Sequence, residues 1–321
     1  MSSSKLMSAS EAVKRFVNSG DSLSIGGFTI NRNPMALIYE MLRQQAKDLH
    51  VVMHSGSQAL DLLLGAGRVN LLEIAYGANG RLAPTCVRFR KAIEQGTLKV
   101  EDYTNYQMTL RFMAGAMGVP FLPTYSSLGT DIIDRWGFSP NMRSSNPQLP
   151  GKKLVITEDP FSDEASQVVL VPAVNPDVAL IHAQKAAEDG TVRLEGLTFA
   201  DIEQARASKH VVVSCEELVS PAELRKKSRN NSIPHILVDA VVHQPFGAHP
   251  TACYLHYDYD MEHLIEYKEL ADDDDRFKAY LNEFVLDVDC HDDYLKLIGT
   301  KRLKGIKATP ELGYARRDSN L

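Results

Sequence analysis

A chain of 321 residues, 44% hydrophobic and 24% charged, has globular composition, with enough apolar residues for one large core or two modest ones. Its net charge of -6 argues against nucleic acid as a principal partner, because phosphate binding needs clustered Lys and Arg that would shift this balance. Cys86, Cys215, Cys253 and Cys290 form no CxxC pair and have no His at finger spacing, so no metal site is expected, and reduced thiols in a cytoplasmic protein fit best.

The opening MSSSKLMSASEAVKRF lacks an apolar run of signal-peptide length, and no later segment approaches about 18 uninterrupted apolar residues. The expectation is a soluble, unexported protein with no membrane partner. Ser8 and Ser10 can cap a first helix carrying Ala12, Val13, Phe16 and Val17, which Gly20 closes. Leu23-Ser24-Ile25 reads as a strand, Gly26-Gly27 as a turn, and Pro34 as the start of a helix with Ala36, Leu37, Tyr39, Met41 and Leu42 on its apolar face.

This βα unit repeats. Leu49 to Met53 is a strand, His54 to Ser57 a polar turn, and Ala59 to Leu64 a helix; Val69 to Tyr76 is a third strand, Gly77 to Arg81 a loop, and Pro84 opens the next helix. Leu98-Lys99-Val100 is a fourth strand, ending at Glu101-Asp102-Tyr103, and a helix spans Asn105 to Met117. Strands alternating with helices of about three turns predict an α/β fold: an open, mostly parallel sheet covered by helices on both faces. Ligands of such sheets gather beyond the carboxyl ends of the strands, so Gly26-Gly27, His54-Ser55-Gly56, Asn79-Gly80-Arg81 and Glu101-Asp102 should converge on one rim.

From Pro120 to Pro160 the chain is rich in Pro, Ser, Asn and Gly and reads as a long, partly irregular excursion, with Trp136 as a packing anchor. Strands return at Leu154 to Ile156, Val168 to Leu170, Val178 to Ile181, Val211 to Val213, stopping at Ser214, and Ile236 to Val242, with a helix over 200–208. A helical, acidic C-terminal extension begins at about residue 255, and Asp272 to Asp275 reads as a solvated helix start favoured by the helix dipole. With no repeat or linker, one domain spanning 1–321, its extension at 255–321, is expected.

In this order, SIGGFTINRNP, HSGSQ, AYGANG with VRFRK, GVPFLP, ALIHAQ with DGTV, VSCEEL, VDAVV and PFGAHP resemble the alpha subunit of family I coenzyme A transferases, most nearly the glutaconate CoA-transferase branch. The resemblance implies an obligate beta subunit of the same fold, in a heterodimer or higher heteromer. It also implies acyl-CoA and carboxylate substrates, with coenzyme A thioesters as substrate and no permanently bound cofactor. In the implied ping-pong reaction a beta-subunit glutamate attacks the thioester, and this chain offers no replacement for it: Glu195, Glu216 and Glu217 all lack the setting of that nucleophile.

On this reading Gly26 and Gly27 form the floor of the thioester site, shaping and polarising it, supported by His54 and Ser55. Some fused relatives place an asparagine where this chain has His54. Phe28, Gly56, Asn79, Gly80, Arg81 and Glu101 are the substrate-binding candidates, with Arg81 as a fork for a second carboxylate. His182, Glu216, Glu217 and His249 are expected to hold loops and the subunit interface. Two related reactions share this fold, hydrolytic opening of steroid-derived acyl-CoA rings and decarboxylation of methylglutaconyl-CoA; in the hydrolase version Glu101 or Asp102 would be the base. A non-catalytic ligand sensor is the alternative of another class, and the absence of a basic DNA-binding module argues against a regulator.

Overall fold

The computed structural model describes residues 4–163 and 166–316. Residues 1–3, 164–165 and 317–321 lie outside it, and with them the start of the N-terminal stretch and the end of the expected extension.

Helix α1 (Ala9–Phe16) begins at Ser8, whose side chain accepts from the Glu11 amide while Glu11 reaches back to the Ser8 amide, a reciprocal cap. It leads into β1 (Ser22–Ile25), α2 (Met35–Arg43), β2 (Leu49–Gly56), α3 (Gln58–Gly65), β3 (Val69–Gly77), α4 (Val87–Glu94), β4 (Lys99–Asp102) and α5 (Asn105–Met117). The expected excursion is partly regular: it holds β5 (Phe121–Thr124), α6 (Pro140–Ser145) and β6 (Val155–Glu158), before β7 (Gln167–Pro172). There follow β8 (Val178–Ala187), β9 (Val192–Arg193), α7 (Asp201–Ala207), β10 (His210–Val219), α8 (Pro221–Lys226) and β11 (Ala240–His243). The chain continues through α9 (Met261–Ala271), α10 (Asp274–Leu281), α11 (His291–Ile298) and α12 (Thr300–Gly305).

Seven strands run β11-β10-β8-β1-β2-β3-β4, every neighbouring pair parallel, and β9 adds antiparallel to β8. β1 therefore has β2 on one side and β8, far along the chain, on the other. The strand order reverses between β1 and β8, and the crevice beyond the carboxyl ends of those two strands is where open parallel sheets bind ligands. A second sheet, β5-β7-β6, is antiparallel. Strand patterning alone does not separate it from the main sheet.

Several predicted strands stop too early. His54, Ser55 and Gly56 lie inside β2, with Ser55 opposite Tyr76 and Gly56 opposite Gly77. Ser214 to Glu217 likewise continue β10, whose ladder with β8 runs to Val219 opposite Ala187. Backbone ladders do not depend on side-chain polarity, so a polar residue ends a strand only if it lacks a partner. The fourth helix starts at Val87 after Cys86, not at Pro84, and β11 is shorter than the expected Ile236 to Val242, which opens with a 3-10 turn at His235–Leu237.

All of Met35 to Leu42 is buried, because the C-terminal helices cover the side of α2 that would otherwise face water. Tyr39 meets Tyr294 with ring centroids 4.9 Å apart. The aspartate run is an exposed helix start, as expected: Asp273 caps α10, while Asp272 and Asp274, both exposed, also pair with Arg90, Arg88 and Lys91 of α4. Trp136 donates to the Ile133 carbonyl at 3.0 Å, and the Arg143 guanidinium lies 5.0 Å from its ring. Among the described residues no helix is long and apolar enough to cross a membrane.

Two buried imidazoles give this region a pH dependence. His263 meets the Tyr280 hydroxyl at 2.7 Å and His291 donates to the Phe246 carbonyl at 3.0 Å; burial pushes both rings down to about 3. Both are neutral in the fold but protonate below about pH 6.5 in the unfolded chain, so unfolding takes up protons. Stability should fall as pH drops from 6.5 toward 3, by up to about 1.4 kcal/mol per pH unit for each ring. Urea midpoints measured from pH 7 to pH 4 check this, and a flat profile would mean the rings are open to water.

Candidate active site

The loop after β1 is fixed from several sides. Gly26 donates to Leu180 of β8 at 2.8 Å, and the Gly27 amide donates to Asp201 Oδ1 at 2.7 Å. Gly27 has φ +84°, and a Cβ there would sit against the carbonyl oxygens of Asn31 and Arg32. A Cβ on Gly26 would lie 2.9 Å from Asp201 Oδ1. Phe28 and Asn31 exchange backbone hydrogen bonds of 2.9 Å in a tight turn.

Beneath this turn Arg32, only 3% exposed, forms an ion pair with the buried Asp201, and its guanidinium also donates to the carbonyls of His182 at 3.2 Å and Leu197 at 3.0 Å. Asn33 ties the loop to α3: its side chain donates to Thr29 O at 2.9 Å and accepts from Ser57 Oγ at 2.8 Å. Sequence pattern does not single out Arg32, Asn33 or Asp201. The one available signal is an arginine beside Gly-Gly with no acid at local spacing, since its partner is distant in sequence and brought near by α7.

This bonding corrects the role expected of the glycines. The amides of Gly26, Gly27 and Phe28 are all committed within the protein, so the two glycines shape the loop without offering donors of their own. The amides of Thr29 and Ile30 have no acceptor among the described residues. They are the donors left open at the loop's tip.

Phe28 stacks on Phe199 at 4.9 Å and lies 5.5 Å from the His54 ring, so the strand-end residues of β1 and β2 meet. His54 Nδ1 and Ser55 Oγ are 3.2 Å apart, and Ser55 Oγ donates to Asn105 Oδ1, at the start of α5, at 3.3 Å. Burial lowers the His54 pKa and favours its neutral form. On the β8 side of the same loop lies a cavity of about 420 Å³, walled by Phe28, Thr29, Glu195, Phe199, Tyr254 and Tyr314. Its walls are mostly apolar, with the open Thr29 amide at the lip, which suits a carbon chain ending in a polarised carbonyl.

The other candidates stand apart from this group. Asn79 is buried; its side chain donates to Gln58 Oε1 at 3.1 Å and its amide to Ala83 O at 3.0 Å, so it holds its loop closed. Gly80 takes φ +57° in open space, and Arg81 is exposed on the same loop, whose Ala78 amide donates to the Gly56 carbonyl at 3.0 Å. Glu101 does not face the rim. It is fully buried, accepting from the Gly137 amide at 2.8 Å and the Phe138 amide at 3.3 Å, paired with Arg143, and 3.5 Å from Lys153 Nζ. With its oxygens so occupied, Glu101 fastens residues 137–153 to β4 and is poorly placed to touch a substrate or act as a base. Burial raises its pKa against the pull of those partners.

Across β8 and β10, His182 lies 2.8 Å from Ser214 Oγ and 2.8 Å from Glu216 Oε1. Glu216 also accepts from the Tyr257 hydroxyl at 2.5 Å and the amides of Phe246 and Gly247 at 2.8 and 3.2 Å. Burial alone would raise Glu216, but the His182, Tyr257 and Phe246 contacts hold it below the usual carboxylate range. His182, Glu216 and Cys253 present ligand atoms within 4.8 Å of one another. Protons already fill the carboxylate's acceptor sites and burial keeps the Cys253 thiol protonated, so the cluster reads as a hydrogen-bonded clamp on residues 246–257.

The coenzyme A transferase profile matches residues 6–244. The chain is 40% identical over 311 residues to a glutaconate CoA-transferase subunit of Acidaminococcus fermentans, covering 97% of each. The crystal structure of glutaconate coenzyme A-transferase from that organism superposes with a TM-score of 0.95, over 98% of this chain and 99% of the other. The decarboxylase AibA/AibB matches at 31% identity with a TM-score of 0.70, over 88% of this chain and 98% of that one.

Proposed function

Because the chain belongs to the coenzyme A transferase family, we propose that it is the alpha subunit of a two-part enzyme moving coenzyme A from an acyl-CoA to glutaconate or a similar short dicarboxylate. The observation that carries this reading is the match along the whole chain to glutaconate CoA-transferase, at a TM-score of 0.95. The decarboxylase relative, at 0.70, supports the fold with less force for its reaction.

In this reading a glutamate carboxylate on the beta subunit attacks the thioester carbonyl, and the coenzyme A thiolate leaves an acyl-glutamyl anhydride. The thiolate then attacks the glutamyl carbonyl, the acyl group departs as a carboxylate, and the glutamyl thioester passes coenzyme A to the acceptor acid by the reverse steps. This chain supplies no nucleophile. Its Thr29 and Ile30 amides would donate to the tetrahedral oxyanion, Gly26 and Gly27 hold them in place, and His54 and Ser55 border the same space. Arg81, exposed on the loop after β3, is the cation this reading assigns to the distal carboxylate. No cofactor is held permanently, since coenzyme A arrives and leaves as substrate. Four unpaired cysteines, three of them buried, fit a cytoplasmic setting.

Co-expression with the beta subunit, followed by a transfer assay over several acyl-CoA donors and acids, tests this reading. The pair should turn over and the isolated chain should be slower by at least about 10,000-fold, within the range that removing a nucleophile costs. Full activity from the isolated chain would overturn the division of labour.

A further inference from the structure

The cavity on the β8 side of the loop after β1 is walled in part by residues outside the segment shared with the family. The transferase profile ends at residue 244, whereas Tyr254 and Tyr314 of the C-terminal extension line the cavity with their ring centroids 5.2 Å apart. This part of the wall is built into the fold. The Leu255 amide donates to the Gly313 carbonyl at 2.8 Å, the Ala308 amide to the His256 carbonyl at 3.0 Å, and the Thr309 amide to the Tyr314 carbonyl at 2.9 Å. Gly196 and Gly313 both lie against the Tyr254 ring, and a Cβ on either would run into its carbons, so only glycine lets the backbone come this close. Phe28 stacked on Phe199 completes the apolar lining.

The charges of this cavity are unevenly matched. Among the described residues Arg32 is the one cation that lines it, and its guanidinium is taken by Asp201 and by the carbonyls of His182 and Leu197. Glu195 is the one acid in the same lining, and its carboxylate has no ion-pair partner among the described residues. Its backbone is held, because its amide donates to Gln184 Oε1 at 3.0 Å and its carbonyl accepts from Gln184 Nε2 at 3.1 Å. A terminal carboxylate entering this apolar space would meet Glu195 with no free cation to offset it, and an uncompensated charge there is costly. Arg81, the exposed cation assigned to a distal carboxylate, lies after β3, on the other side of β1 in the sheet. We propose that Glu195, Tyr254 and Tyr314 are specificity-determining residues that reserve the β8-side cavity for an uncharged acyl chain, Glu195 by repelling a second carboxylate and the two tyrosines by limiting length. An acid with two carboxylates is then directed toward Arg81, so the two acyl groups of the exchange occupy different branches of one site. This assignment deepens the transferase reading above and rests on it.

The experiment uses the full chain co-expressed with the beta subunit. It measures kcat/KM for butyryl-, hexanoyl- and octanoyl-CoA and for their terminal-carboxylate counterparts succinyl-, adipyl- and suberyl-CoA. In Glu195→Gln, which keeps the size and removes the charge, the preference for hexanoyl- over adipyl-CoA should fall at least about tenfold. Tyr314→Ala should move the optimum among the uncharged chains toward longer ones, and Tyr314→Phe, which keeps the ring, should retain the wild-type optimum. Circular dichroism and melting temperature of each isolated chain report its fold. Tyr314→Ala removes packing from the tail, so isosteric Glu195→Gln decides the matter. An unchanged hexanoyl-to-adipyl ratio in a folded Glu195→Gln pair overturns the proposal and leaves the transferase reading standing. An unshifted chain-length profile in a folded Tyr314→Ala pair removes the tyrosines from it. If both variants raise KM by the same factor for every acyl-CoA, the cavity holds the coenzyme arm instead of the acyl chain, and the proposal falls. No turnover of any acyl-CoA by the wild-type pair would defeat the two-part reading itself.

Discussion

Gly27→Val, assembled with the beta subunit, should lower kcat by about 100- to 1,000-fold, the cost of misplacing oxyanion donors. A valine at φ +84° is strained in itself, and its Cβ would meet the carbonyl oxygens of Asn31 and Arg32. The loop must therefore open, carrying the Thr29 and Ile30 amides away from their positions. Crowding of the thioester, the effect that sequence alone suggests, is secondary, because the new side chain strikes its own loop first. The pair should still assemble, since the clash is confined to the loop after β1. A transfer assay on the purified pair reads the result, and wild-type turnover would remove the loop from the site.

Gly27 also shows where sequence reading succeeds and where it stops. The glycines after β1, the reciprocal cap at Ser8 and the helix Asn105–Met117 are local features, set by neighbours a few residues apart, and each stands where the pattern puts it. The partners of those glycines are not local. Asp201 accepts from Gly27 across 174 positions of chain, and nothing around Asp201 distinguishes it from an acid favoured in the first turn of α7. His54, Glu101, His182 and Glu216 read as strand-end polar turns for the same reason: their satisfying partners sit on other strands and loops, and only the fold turns apparent turns into ladder positions. The antiparallel sheet is hard to see in the sequence because Pro123 in β5 argues against a strand, yet β5 is an edge, where a missing amide is tolerated.

Asp201→Ala should destabilise the chain by about 3–5 kcal/mol, the usual consequence of stranding one partner of a buried ion pair. The substitution leaves the buried Arg32 guanidinium without its counter-charge and the Gly27 amide without its acceptor. It also opens space beneath the loop. Urea unfolding of the isolated chain, with its slope checked against wild type, measures the loss. Arg32→Met combined with Asp201→Leu should recover much of it, because a well-packed apolar pair avoids the desolvation of both charges. Turnover separates the two roles of the pair. If the double variant regains stability but the assembled enzyme stays slow, Asp201 acts on catalysis through the Gly27 amide, setting the tip of the loop; if activity returns with stability, the pair is only a support. A single variant as stable as wild type would mean that the loop is held by Asn33 and the contacts to β8, and the ion pair would lose the central place the geometry gives it.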